Sequence, residues 1–229
     1  MNTLLIVASL GLTIGVYSLS RFIYLRGNKH PLLNVLFLST FLVIVVLRVC
    51  HFTYDEYVSC KDIISYFLGP ATVALAVPLF KNRLVLKKYS IPILVGILFG
   101  SLSGMTTTVL MGNVTGLSRT MTMSLAPKFV TIPIAVEIAK YIGGDQALVA
   151  VFVAVTGLIS SAFGPTLLTR LKVTDPVARG IALGTTAAGQ GVAVGLQEGE
   201  MQGAMAGLAM ALAGVVTALI APMLLPLMR

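Results

Sequence analysis

The stretch SLAPKFVTIPIAVEIA, Ser124–Ala139, decides how this chain is read. It belongs to an apolar run, Thr120–Ala139, that approaches the ~20 residues a bilayer-spanning helix needs. Pro127, Lys128 and Pro133 interrupt that run. Proline removes a backbone donor and clashes with the preceding turn, and a cation inside an apolar run is costly unless paired or solvated. The segment therefore reads as a broken or re-entrant helix and not as a plain crossing.

Composition agrees with a membrane setting. Of the 229 residues, 57% are hydrophobic and 10% charged, against roughly 45–50% and about 25% in soluble domains. A chain this short could not hide so much apolar surface in water. That excludes a soluble enzyme, a disordered tail and a secreted disulfide scaffold. Sixteen Lys and Arg against eight Asp and Glu give a net charge of +8. The basic residues sit in short loops between apolar runs, where they set topology, so no nucleic-acid partner is expected. Two Cys and two His leave no dedicated metal site, and no cofactor is expected. Cys50 and Cys60 lie ten apart around a polar connection. They pair only if that loop faces an oxidising compartment; two thiols are the commoner arrangement.

Eight apolar runs follow one another: Thr3–Leu19, Pro31–Val49, Ile63–Phe80, Ile91–Met111, Thr120–Ala139, Leu148–Leu168, Gly180–Leu196 and Met201–Leu227. The first carries its positive charge afterwards, at Arg21, Arg26 and Lys29, unlike a cleavable signal peptide. It is expected to be retained, with the N-terminus outside. Two further basic loops, Lys81/Arg83/Lys87/Lys88 and Arg170/Lys172/Arg179, complete the positive-inside pattern if Thr120–Ala139 does not cross. The expected fold class is an all-α integral membrane protein with about seven transmembrane helices and two or three broken or re-entrant segments. One domain covers residues 1–229, with an N-terminal helix pair in 1–62 and a broken-helix core in 63–229.

Three runs are interrupted at similar depth. Leu68-Gly69-Pro70-Ala71-Thr72 precedes Pro78, Ser124–Lys128 precedes Pro133, and Leu183-Gly184-Thr185-Thr186 leads into Gly189, Gln190 and Gly191. A simple proline kink explains any one of them. Three together favour irregular backbone lining a wet cavity, the only lipid-depth setting besides burial in protein that tolerates it. Leu68-Gly69 and Leu183-Gly184 each open a broken run followed by a glycine-striped helix, a weak internal repetition. The stripes Gly96/Gly100/Gly104 and Gly191/Gly195/Gly199/Gly203/Gly207 read as close helix packing, with a homo-oligomer through one of them as the alternative.

Lys128 carries most of the chemistry. A long side chain near a membrane face snorkels, but Lys128 lies mid-run beside a break. Free backbone N–H groups and a helix N-terminal dipole there can act with its ammonium on an anion. Ser124, Thr131, Thr72, Thr185, Thr186 and Gln190 lie at or near the interruptions and suit hydrogen bonding to a small hydroxylated or carboxylated solute, with Pro127 counted in the site as the break beside Lys128. Singly, each Ser or Thr more often bonds back to its own helix. Glu137 reads as an interfacial partner of Lys140, and Arg48 as a snorkelling helix end. Enzyme chemistry has little support: His30 and His51 fall in loops, no HExxH, GxSxG or P-loop pattern occurs, and Gly100-Ser-Leu-Ser-Gly104 lacks a base.

Three stretches together, FLGPATVALAVPLFKNR at Phe67–Arg83, Ser124–Ala139, and the glycine-rich Arg179–Leu219, resemble the LrgB/CidB family of bacterial membrane proteins over nearly the whole chain. The family's Pro-Lys motif falls on Pro127 and Lys128, and its Gly-Pro-Ala-Thr element on Gly69–Thr72. The resemblance implies a multi-pass protein of the bacterial cytoplasmic (inner) membrane, often working with a small LrgA/CidA-type membrane protein. Plant relatives exchange glycolate and glycerate, bacterial members are linked to export of small carboxylates such as pyruvate, and older naming makes them antiholin-like regulators of murein hydrolase activity. Where many members have Ser-Val-Thr-Thr-Pro after the Pro-Lys, this chain has Phe129 to Pro133. Where many have Ser-His before the glycine-rich turn, it has Ala187 and Ala188.

The expected function is therefore a carrier for small monocarboxylates, a small organic anion being held at broken helices in the lipid bilayer. The alternative is a non-transporting antiholin-like regulator acting with an LrgA-type partner.

Overall fold

The computed structural model describes residues 3–27, 35–53, 57, 63, 64, 66, 70, 73, 76–81 and 83–225. Helices and turns account for the described residues, with no strand among them. We number the helices α1 (Thr3–Arg26), α2 (Val35–Val49), α3 (Ala76–Lys81), α4 (Arg83–Lys88), α5 (Ser90–Val114), α6 (Arg119–Leu125), α7 (Ile132–Ile142), α8 (Gln146–Arg170), α9 (Pro176–Glu198) and α10 (Glu200–Leu224). Among the described residues four stretches are long and apolar enough to cross a membrane: Ile6–Arg26, Ser90–Val114, Gln146–Arg170 and Glu200–Leu224. The chain divides into two units, Met1–Leu75 and Ala76–Arg229.

In the first unit α1 and α2 pack together, and the hydroxyls of Thr13 and Tyr57 lie 3.0 Å apart. Arg48 is exposed in the last turn of α2, as a snorkelling end should be. Cys50 is exposed just beyond it, while Cys60 lies outside the described residues, as do Leu68, Gly69, Ala71 and Thr72. The second unit is built on α5, α8 and α10, each 25 residues long, or about 37 Å.

Between α8 and α10, α9 is two helices set end to end. Ala188 has φ 46° and ψ −127°, a left-handed backbone foreign to helices. At its two ends, Arg179 Nε donates to Glu198 Oε2 at 2.8 Å. In a straight helix those residues would stand about 28 Å apart. The element is thus a hairpin whose arms, residues 176–187 and 189–198, begin and end together. A Cβ on Gly191 would strike the Leu183 carbonyl, so the arms touch backbone to backbone just below the reversal.

Between α5 and α8 another hairpin, the first in chain order, enters from the other end. Ser118 caps α6 by accepting from the Met121 N–H at 3.3 Å. The helix stops at Leu125 because Pro127 follows, and residues 126–131 form a chain of turns. Thr131, with φ −68° and ψ 150°, starts α7, which returns to a left-handed Gly143 (φ 81°). The return is complete: Ser124 Oγ accepts from the Asp145 N–H at 2.8 Å.

Contacts along α5 give the levels. Thr122 faces Gly112, Phe129 faces Gly104, Thr185 faces Gly100 and Ile181 faces Gly96. The first hairpin therefore descends from the C-terminal end of α5, and the second rises from its N-terminal end. Their tips meet near Leu102, midway along the helix. Gly157 against Gln190 on α8 and Gly214 against Ile134 on α10 give the same mid-helix level.

The break expected in Thr120–Ala139 is present. One expectation changes: Gly180–Leu196, counted among about seven crossings, turns back instead. Its small residues admit backbone contact between the arms and with α10, where Gly184 lies against the Ala206 backbone.

Candidate functional site

The link 126–131 positions the site. Pro127 is fully buried, and two tight turns, Lys128 N–H to the Leu125 carbonyl at 3.2 Å and Val130 N–H to the Pro127 carbonyl at 3.3 Å, replace helical bonding. Lys128 is half-buried. Its Nζ donates to Thr108 Oγ1 at 3.0 Å. Thr108 donates its own proton to the Gly104 carbonyl at 2.7 Å, leaving a lone pair for the ammonium. The ammonium also stands 5.0 Å from the centroid of the Phe129 ring, within cation–π range. No carboxylate pairs with it among the described residues. An ammonium has three donors, and Thr108 takes one of them.

Thr131, half-buried, stands at the start of α7 and makes no side-chain cap. Pro133 has no N–H, but the first-turn N–H groups around it lack helical acceptors and carry the positive end of the helix dipole. Lys128 and this helix start thus present unpaired positive character at the same tip.

The other expected site residues separate into groups. Ser124 is committed: buried, it donates to the Thr120 carbonyl at 2.7 Å and holds the Asp145 N–H. Thr186 is exposed and donates to the Ala182 carbonyl at 2.7 Å, the back-bonding that Ser and Thr make in helices. Thr185 is buried against Gly100 with its hydroxyl unpartnered, and Gln190 lies against Gly157 with Oε1 buried and unpartnered. Thr72 lies outside the described residues. Glu137 and Lys140 form the expected exposed pair on α7.

Two site features escaped the sequence reading. Thr108 extends the Gly96/Gly100/Gly104 stripe by one turn, so the ridge read as packing also carries the lysine's acceptor. Arg179, read as a topology charge, clasps Glu198 and donates further to the Pro165 and Val173 carbonyls at 3.2 and 2.9 Å. A basic and an acidic residue bracketing a glycine-rich run was the available signal.

The model of the LrgB-like family matches residues 13–227. The chain belongs to the LrgB-like family. Among LrgB-like relatives, the "Antiholin-like protein LrgB" of Bacillus mycoides (strain KBAB4) is 36% identical over 178 residues, covering 78% of this chain and 77% of that protein. An uncharacterized protein, YwbG, of Bacillus subtilis (strain 168) is 35% identical over 187 residues, covering 82% and 83%. No solved structure matches the chain. Membership and the long apolar helices make this a multi-pass membrane protein with bacterial LrgB homologues.

Proposed function

We propose that this protein carries small monocarboxylates, of glycolate, glycerate, lactate or pyruvate size, across a bacterial cytoplasmic membrane. One observation carries the reading: Lys128, a half-buried cation without a carboxylate partner among the described residues, stands at the tip of a hairpin that reaches the middle of a 25-residue span. A small carboxylate supplies the missing charge. Lys128 and the N–H groups opening α7 hold it, Thr131 lies within the same turn, and Pro127 keeps the backbone open there. Such a helix start aimed at an anion near mid-membrane is a recurring transporter device. Lys81, Arg83, Lys87 and Lys88 precede α5, and Arg170, Lys172 and Arg179 flank the base of the second hairpin, so both basic groups occupy one end of this unit. That end is assigned to the cytoplasm.

The test is counterflow in proteoliposomes against a panel of small organic acids. Wild type should saturate and exchange, and Lys128→Ala should lose flux while still eluting as a folded protein. Unchanged flux in Lys128→Ala defeats the assignment.

The name of the Bacillus mycoides relative, antiholin-like protein, supports a second reading, an antiholin-like regulator; the partner proposed for it is a small LrgA-type membrane protein. A regulator should show neither saturable flux nor counterflow and should lose its effect on lysis when the partner is deleted. An unselective leak without saturation would point to a pore.

A further inference from the structure

Several hydroxyls described within the helices of the second unit bond back to their own backbone, as Thr107, Thr108, Ser124 and Thr186 do. Three buried hydroxyls there do not: Thr122 on α6 packs against Gly112, and Ser101 on α5 and Thr185 on α9, 4% and 5% exposed, likewise have no hydrogen-bond partner. Native structures leave few such groups unexplained, because a buried donor or acceptor without a partner destabilises the fold.

Ser101 and Thr185 belong to one layer of the fold. Ile97 on α5 packs in a common cluster with Ile181 on α9 and Met205 and Ala209 on α10. Ser101 is one helical turn beyond Ile97, and Thr185 is one turn beyond Ile181. The methyl of Thr185 also lies against Gly100, the neighbour of Ser101. Immediately above this layer the first arm of α9 ends at Ala188. The last four carbonyls of a helix have no helical donors and carry its negative end. Two unpartnered hydroxyls and the carbonyl end of a helix arm thus lie at one level, about halfway along α5.

We propose that Ser101 Oγ, Thr185 Oγ1 and the carbonyl oxygens ending the first arm of α9 form a site for a dehydrated monovalent cation of the sodium class. An oxygen-only shell of hydroxyls and carbonyls suits a hard cation. No Asp or Glu occurs within α5 or between Pro176 and Gln197. Without a carboxylate, the shell has no charge to offset the desolvation of a divalent ion. The site is distinct from the anion tip, which lies on the other hairpin at the levels of Gly104 and Thr108. On this assignment Thr185 serves the cation, a different role from the solute contact that its sequence position suggested.

The experiment uses the purified full chain in detergent with no organic acid present, so its result is separable from that of the carboxylate assay. Thermal stability is followed by size-exclusion recovery in rising NaCl, KCl or choline chloride at matched ionic strength. A ligand that binds only the folded state raises the melting temperature saturably. Sodium should do so and choline should not. Ser101→Ala and Thr185→Val should lose the sodium response, and Thr185→Ser should keep it. If Thr185→Val fails to fold, Ser101→Ala and Thr185→Ser decide the matter. Equal responses to sodium and choline in wild type, or a sodium response that survives in Ser101→Ala, overturns the proposal.

Discussion

Arg179 and Glu198 meet in a two-pronged ion pair although nineteen residues separate them along one run of helix. The pair is largely shielded, with side chains 12% and 18% exposed, and it fixes the base of a hairpin whose tip is Ala188. The chain can reverse there because clasp and tip are both held: the guanidinium also grips the Pro165 carbonyl in α8 and the Val173 carbonyl just beyond it, and the arms close on each other at Gly191 and Leu183.

Removing one half of this clasp leaves a shielded charge unpaired. Glu198→Gln should lower folding stability by about 2–4 kcal/mol, seen as reduced thermal recovery from detergent. Arg179→Lys should also lose stability, since a lysine cannot match both carboxylate oxygens. The double change Arg179→Gln/Glu198→Gln should recover part of the loss. A double variant no more stable than Glu198→Gln would deny the pair its role as a unit.

Two helical glycines, Gly184 on α9 and Gly96 on α5, should differ sharply. At Gly184 an added Cβ would meet the Ala206 backbone, which cannot step aside, so Gly184→Ala should fail to yield folded protein. At Gly96 the nearest atom is a methyl of Ile181 at 4.0 Å. Gly96→Ala should be neutral or stabilising by up to about 1 kcal/mol through helix propensity. Expression and thermal recovery of the two variants check the contrast.

Thr108→Val keeps the shape of the side chain and removes the oxygen that accepts from Lys128. With the ammonium unanchored, the Michaelis constant for carboxylate counterflow should rise about tenfold, equivalent to ~1.4 kcal/mol. Maximal flux should change less. A constant indistinguishable from wild type would show that Thr108 does not position the lysine.

Ser124→Ala tests the opposite role. Its hydroxyl holds the Asp145 N–H and so ties the first hairpin to the turn into α8. Losing that acceptor should lower stability by about 1–3 kcal/mol and leave the Michaelis constant for carboxylate unchanged. A raised constant with wild-type stability would return Ser124 to the solute.

Much of this architecture is legible in the sequence where a residue type breaks helices by its own covalent structure. Pro127 and Pro133 announce the first hairpin, and Lys128 between them announces charge. The spacing of basic loops calls for one run between them not to cross, and those residues make Thr120–Ala139 the candidate. The second hairpin is harder to see because its reversal falls on Ala188, an alanine with φ 46°. Local propensity says helix there; packing against α10 and the clasp below it say otherwise. Ser124 and Thr185 show the same limit from the side of function. Both are polar residues beside a break, and only the hydrogen bonds tell that one is occupied and the other open.

The seam between α9 and α10 constrains how the molecule moves. Gly180 and Gly184 lie so near the α10 backbone that methyl groups there would collide with Gln202 and Ala206. Backbones in such contact form a rigid block, since sliding by a fraction of an ångström would drive main chain into main chain. On the carrier proposal, any rocking that exposes the tips alternately to the two compartments must therefore leave this seam intact.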